Sequence, residues 1–218
     1  MHHFDIEGIH VERIAHSGFF IRADKTIYID LFKTLQRDFE PADLVLVTHE
    51  HFDHLSVEDL RKIVTPETTI VSTPICEQEL SSLAPKQLVL LKPNEFFDFG
   101  DIRIETVPAY NTNKFKSPGV PFHRQGDGRL GFVLDIYGTR IYHMGDTDNI
   151  PELANVHNID VALMPVSGTY VMTPDEAAEA VGVFKPDKAV PMHYGTIIGS
   201  EKDAKAFREK AACDVRIL

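Results

Sequence analysis

Residues 48–54 read Thr-His-Glu-His-Phe-Asp-His, which places three imidazoles (His49, His51, His54) and one carboxylate (Asp53) within six positions. Imidazole suits zinc, iron and nickel, and carboxylate adds charge compensation, so the cluster is a candidate metal site. One histidine in such a place would be an ordinary polar turn or a satisfied core residue. The H-x-H-x-D-H spacing argues for ligands instead. His49 and His51 are two apart, so on extended backbone their side chains point the same way and can share one ion. Asp53 and His54 follow once the chain has begun to turn, in place for a neighbouring ion. Two divalent ions about 3.5–4 Å apart can hold a water or hydroxide and steady both the attacking and the leaving oxygen. Zinc is the first choice of metal, with manganese and iron as alternatives.

Such donors need a rigid support. The run before them, Asp43-Leu-Val-Leu-Val-Thr48, is apolar and β-branched and reads as a buried strand, so the ligands begin at the carboxyl edge of a sheet. Two further segments have the same form. Arg140-Ile-Tyr-His-Met-Gly145-Asp146 ends in a glycine and a carboxylate able to bridge two ions, while His143 reads as strand packing and Asp148 as less well placed. Ala189-Val-Pro-Met-His193-Tyr194-Gly195 ends in a histidine before a glycine turn. Other strands are expected at 9–15, 19–22, 26–30, 69–72, 88–91, 96–99, 102–107, 130–136 and 161–165. Helices are expected from Ser56 to about Val64 and over 75–83, 174–184 and 201–212. Strands and helices mix in both halves, which fits an α/β protein of two sheets packed face to face with helices outside, a four-layer αββα sandwich.

The 218 residues fit one domain, 1–218, with a real core. No apolar run reaches the roughly 20 residues of a membrane span, and the N-terminus lacks a signal-peptide core. Cys76 and Cys213 are single and distant, as in a cytoplasmic protein with reduced thiols. A net charge of −11 disfavours a nucleic-acid partner. The oligomeric state stays open, a homo-oligomer included.

The order of these pieces resembles the metallo-β-lactamase superfamily over nearly the whole chain: a β-rich start with Ile27-Tyr-Ile-Asp30, then Thr48-His-Glu-His-Phe-Asp-His54, Gly145-Asp146-Thr147 and Met192-His193-Tyr-Gly195. It looks most like the small metal-dependent hydrolase branch related to the L-ascorbate-6-phosphate lactonase and RomA-like proteins. The segment Val166-Ser-Gly-Thr-Tyr-Val-Met-Thr173-Pro-Asp-Glu-Ala177 is similar to one that branch carries before its penultimate helix. The resemblance implies the metallo-β-lactamase fold with a site at one edge of the sheets. It implies His49 and His51 on a first ion, Asp53, His54 and His193 on a second, and Asp146 bridging. His16 and Asp30 match supporting residues that fix ligating imidazoles. One departure stands out. The family has a third histidine where this chain reads Val107-Pro-Ala-Tyr-Asn111-Thr-Asn113. Either Asn111 is a weak ligand, or the first site is half-filled, or His123 enters from the following loop.

Residues 111–129 carry Lys114, Lys116, Arg124 and Arg129 against Asp127 alone. Loops on a rigid scaffold gather binding residues, so Lys114, Arg124, Arg129 and Tyr194 are expected to meet a small anionic substrate; the bland alternative is a solvated turn. The implied chemistry is hydrolysis, with the ions bringing the pKa of a water from about 15.7 toward 7 to give a metal-bound hydroxide. Asp53 or Asp146 would orient it, and His123, Lys114 or Tyr194 would serve the leaving group. An ester, a lactone and a phosphodiester all remain open, because a fold does not choose a substrate. A metal-binding protein without turnover and a di-iron oxidoreductase are the rival readings.

Overall fold

The computed structural model describes residues 2–34 and 38–218. By its internal contacts the chain forms two compact units, one of residues 1–92 with Leu218 and one of residues 93–217.

The first unit is built on a seven-stranded sheet. Its strands are β1 (His3–Ile6), β2 (Ile9–Ala15), β3 (Gly18–Arg22), β4 (Thr26–Ile29), β5 (Leu44–Leu46), β6 (Thr69–Ser72) and β7 (Gln87–Leu90), in that spatial order. From β1 to β4 neighbours are antiparallel, and from β4 to β7 they are parallel. The parallel strands β4, β5 and β6 are buried throughout, which is why they read as continuous apolar runs rather than alternating ones. Tyr28, Val45, Leu60, Ile63, Ile70 and Leu80 are among the residues of this unit's core. Helix α1 (Val57–Leu60) is capped by the Ser56 hydroxyl, as the sequence predicts, but is shorter than the expected span to Val64. Its last turn tightens, with both Ile63 and Val64 donating to the Leu60 carbonyl, because Pro66 disfavours helical backbone at the residue before it. The second expected helix opens instead with a tight turn at Pro74–Cys76 and continues as α2 (Glu77–Ser81).

The second unit has its own seven-stranded sheet. It contains β8 (Phe96–Phe99), β9 (Ile102–Pro108), β12 (Leu130–Ile136), β13 (Thr139–His143), β14 (Val161–Pro165), β15 (Lys188–Met192) and β16 (Asp214–Val215), while β10 (Phe115–Ser117) and β11 (Val120–Pro121) pair separately. The spatial order is β16-β15-β14-β13-β12-β9-β8, antiparallel from β8 to β13 and parallel from β13 to β16. Helices α3 (Pro174–Phe184) and α4 (Glu201–Lys210) both begin at capping boxes, Thr173 with Glu176 and Ser200 with Asp203. Ala177, Ala180, Val181 and Phe184 of α3 and Ala204 and Phe207 of α4 enter the core with Tyr142, Met144, Ala162 and Met164. Gly131 in β12 has a structural reason: a Cβ there would come within 2.8 Å of the Met144 carbonyl oxygen and 2.9 Å of that of His143. Backbone is thereby pressed against backbone just ahead of the turn that carries Asp146.

Both sheets thus turn from antiparallel to parallel, and the candidate donors leave the carboxyl ends of strands. Asp30 follows β4, the His49–His54 segment follows β5, Asn111 follows β9, Asp146 follows β13 and His193 follows β15. The carboxyl edge of a parallel sheet is where α/β proteins ordinarily place ligands.

Candidate metal centre

In the first unit the donors are held from behind by one carboxylate. Asp30 is fully buried. Its Oδ1 accepts the Thr48 backbone N–H at 2.8 Å, and its Oδ2 accepts the Thr48 hydroxyl at 2.7 Å and His54 Nδ1 at 2.6 Å. A carboxylate only accepts, so His54 carries its proton on Nδ1 and offers Nε2 forward. Thr48 has given its single proton to Asp30, so its oxygen accepts from His49 Nδ1 at 2.9 Å. His49 is therefore also fixed with Nε2 forward, 3.1 Å from His51 Nδ1. His16 Nε2 lies 3.1 Å from Asp53 Oδ2, and His54 Nε2 lies 3.8 Å from the same oxygen. Ligand atoms of His16, Asp53 and His54 lie within 4.8 Å of one another. His51 keeps 38% of its side chain exposed, and its neighbour Phe52 is 68% exposed, with its ring edge-on to Phe32 at 5.8 Å.

In the second unit Asp146 is the focus. Its Oδ2 lies 3.3 Å from His123 Nε2 and 3.1 Å from His193 Nε2. All three residues are at most 3% exposed. His193 Nδ1 meets the Ser167 hydroxyl at 2.9 Å, and His143 Nδ1, buried as expected, accepts the Gly145 N–H at 3.2 Å and so braces the Asp146 turn. Three residues of this set, His16 (φ 53°), Asp30 (φ 47°) and His193 (φ 59°), hold left-handed backbone without being glycine. Such conformations cost on the order of 1–3 kcal/mol each and persist where surrounding contacts over-determine them. The donor chemistry fits a divalent ion: buried imidazole nitrogens and carboxylate oxygens, gathered closely, with the rear nitrogens already fixed.

The surroundings of the other candidate residues differ from those the sequence suggests. Both ends of the Asn111 amide are engaged by protein: Nδ2 by Asp148 Oδ1 and the Tyr170 carbonyl, Oδ1 by His123. Asp148, read as poorly placed, is buried and also accepts the Thr112 and Asn113 backbone N–H groups. Lys114, expected to face substrate, is 10% exposed and committed to Glu176 at 2.7 Å, with Asp148 at 3.7 Å. Arg129 is buried against Asp127 at 2.9 Å. Tyr194 packs in the apolar core of its unit. Arg124, beside His123, is the one cation among those proposed for substrate that is exposed. The spacing of the motif contained no sign of Thr48 as relay or of Ser167, which lies 26 residues before the histidine it meets.

Glu176 carries a pH prediction. Burial opposes its charge, but the Lys114 ammonium, the Thr173 backbone N–H and the Asn113 amide together hold its pKa at about 2, against an ordinary 4.5. A depressed folded-state pKa gives stability that is present above the unfolded value and lost as pH falls toward 2. Glu176→Gln is therefore expected to lower Tm at pH 7, with the gap to wild type closing as pH falls from about 5 to 2. A gap constant over that range, followed by calorimetry in chelator, would remove the assignment.

A family model described as a β-lactamase superfamily domain matches residues 10–193. The chain belongs to the β-lactamase superfamily. This superfamily member is 30% identical over 218 residues to a UPF0173 metal-dependent hydrolase of Pelotomaculum thermopropionicum, with 94% of each chain covered. The solved structure of a metal-dependent hydrolase relative from Parabacteroides distasonis, also 30% identical, superposes with a TM-score of 0.81 over 99% of this chain and 96% of its own. The chain is thus a metal-dependent hydrolase by family, with the α/β fold that the resemblance implies and His/Asp clusters able to bind metal ions. The diiron β-hydroxylase CmlA of Streptomyces venezuelae gives a TM-score of 0.76 over 98% of this chain and 53% of its own. At 14% identity that likeness is one of fold alone. Among the described residues no helix is long and apolar enough to cross a membrane.

Proposed function

We propose that this protein hydrolyses a small anionic ester, lactone or phosphodiester with two divalent ions, zinc by preference. The observation that carries the reading is the orientation of the imidazoles. His49 and His54 are both locked with Nδ1 protonated, so each offers Nε2 as a lone pair, the form a metal requires. On this reading residues 1–218 act as one domain. The first unit offers His49, His51, Asp53 and His54 as candidate ligands, and the second, taken by itself, offers His123, Asp146 and His193, with His123 preferred to Asn111. When bound, the ions supply Lewis acidity toward the scissile group and a water acidified for attack at neutral pH.

The chain's own groups do the remaining work. Asp53 keeps a partly exposed carboxylate whose Oδ2 is steadied by His16, and it takes the proton of the attacking water. Asp30, Thr48 and Ser167 hold ligand rings in place and bear no substrate role. The exposed ring of Phe52 offers an apolar platform beside His51, and Lys33 Nζ stands 5.5 Å over the Phe32 ring behind it. Arg124 supplies the cation for an anionic substituent. Lys114 and Arg129 are spent on internal carboxylates and drop out of substrate recognition.

The test is elemental analysis of protein purified without added metal, together with turnover on an ester, a lactone and a phosphodiester before and after chelation. About two ions per chain, and turnover that is lost on chelation and restored by zinc, is the expected result. Full loading with no turnover on any of the three would favour a metal-binding role without catalysis. A visible charge-transfer band would favour di-iron chemistry.

A further inference from the structure

Asn111 occupies the position where the resemblance calls for a third histidine, and its surroundings say what it does instead. It is 6% exposed. Its amide nitrogen donates to Asp148 Oδ1 at 3.1 Å and to the Tyr170 carbonyl at 2.9 Å. A carboxylate and a carbonyl can only accept, so the amide cannot be turned the other way. Its oxygen then faces His123, where it takes the backbone N–H at 2.9 Å and Nδ1 at 2.8 Å. The backbone N–H of Asn111 donates in return to the His123 carbonyl at 2.8 Å. Three hydrogen bonds therefore lace together two residues twelve positions apart. Because the amide oxygen has no proton, Nδ1 of His123 must carry one. In the neutral ring the lone pair is left on Nε2, the atom 3.3 Å from Asp146 Oδ2.

We propose that Asn111 is a positioning residue which fixes His123 as the Nδ1–H tautomer and aims Nε2 at a divalent ion beside Asp146. A histidine borne on a loop then serves where a strand-end histidine is missing, and the asparagine makes that loop rigid enough to do so. The support runs outward through Asp148, which also accepts Thr112 N at 2.7 Å and Asn113 N at 3.0 Å. It ends in Lys114 and Glu176, the latter within the capping box of α3. The clamp is thus tied to a regular helix rather than to solvent. Substitution of such an orienting partner typically lowers metal affinity about 10–100-fold.

The proposal rests on the metal-dependent reading above, and two measurements separate their failures. The first is the tautomer of His123 in wild-type, chelator-treated protein, from long-range proton–nitrogen NMR with His123→Ala for assignment. A protonated Nδ1 and a lone pair on Nε2 are expected; the opposite tautomer, or a mixture of the two, overturns the proposal whether or not metal binds. The second is zinc affinity, by competition with a chromophoric chelator, for wild type, Asn111→Ala, His123→Ala and the double variant. Asn111→Ala is expected to lose about 10–100-fold, and His123→Ala at least as much, with no further loss in the double variant. Wild-type affinity in Asn111→Ala, or losses that multiply in the double variant, would show that Asn111 does not act through His123. If Asn111→Ala fails to fold, the wild-type tautomer decides alone. Failure of wild type to bind zinc would sink the metal reading and with it the role of His123 as ligand.

Discussion

Asp30→Ala is expected to lower zinc affinity by about 100-fold or more and to take catalytic efficiency down with it. The size follows from how much hangs on one carboxylate. Asp30 accepts from His54 directly at 2.6 Å and, through the Thr48 hydroxyl, governs His49. Loss of one orienting partner usually costs 10–100-fold in metal affinity, and here two candidate ligands lose theirs together. Folding suffers as well, because the His54 Nδ1–H, the Thr48 hydroxyl and the Thr48 backbone N–H lose their shared acceptor inside a closed core. Breaking such a buried network costs roughly 3–5 kcal/mol, or about 6–20 °C in Tm for a chain of this length. Asp30→Asn keeps one acceptor oxygen and should fall between the variant and wild type on both readouts. The two effects are told apart by measuring Tm in chelator and affinity at a temperature where the variant is folded. Wild-type zinc affinity in folded Asp30→Ala would end the argument that this carboxylate sets the ligands.

How much of this was legible beforehand depends on how local each signal is. The His49–His54 cluster announces itself because its donors are neighbours in sequence and follow a buried strand. Asp146 and His193 were legible as strand-end residues beside glycines, and the strands that carry them are where the apolar runs put them. The exchange between Asn111 and His123 was not, since only the folded loop shows which atoms face each other across twelve residues. The loop cations misled for the same reason. Composition shows an excess of positive charge over 111–129, but the partner of Lys114 lies 62 positions away at the start of α3. Tyr194, beside a candidate ligand in sequence, packs in the core. The small edge strands β1 and β16 and the β10–β11 pair lack the long apolar runs that mark buried strands, and their residues are largely exposed or half-buried.

Asp146→Asn is the second large effect, and it separates a carboxylate that works for a metal from one that works for the fold. Asp146 is 3% exposed and faces the Nε2 atoms of two histidines. In the neutral His123 ring the hydrogen bonds at the far side leave Nε2 an acceptor, and two electron-rich atoms then stand 3.3 Å apart. That arrangement is favourable with a cation close by and costly without one. An asparagine has the same shape but no charge, and its oxygen is a poor donor to zinc. Loss of several kcal/mol of charge stabilisation at the ion corresponds to about a thousandfold in kcat/KM. Metal content should drop below two ions per chain. The decisive comparison is stability in chelator: exchanging a buried charge for a neutral isostere is expected to leave the metal-free Tm within about 3 °C of wild type, while the gain in Tm on adding zinc shrinks. A large fall in the metal-free Tm, with zinc still raising it as in wild type, would mean that Asp146 braces the second unit and does not serve the ion.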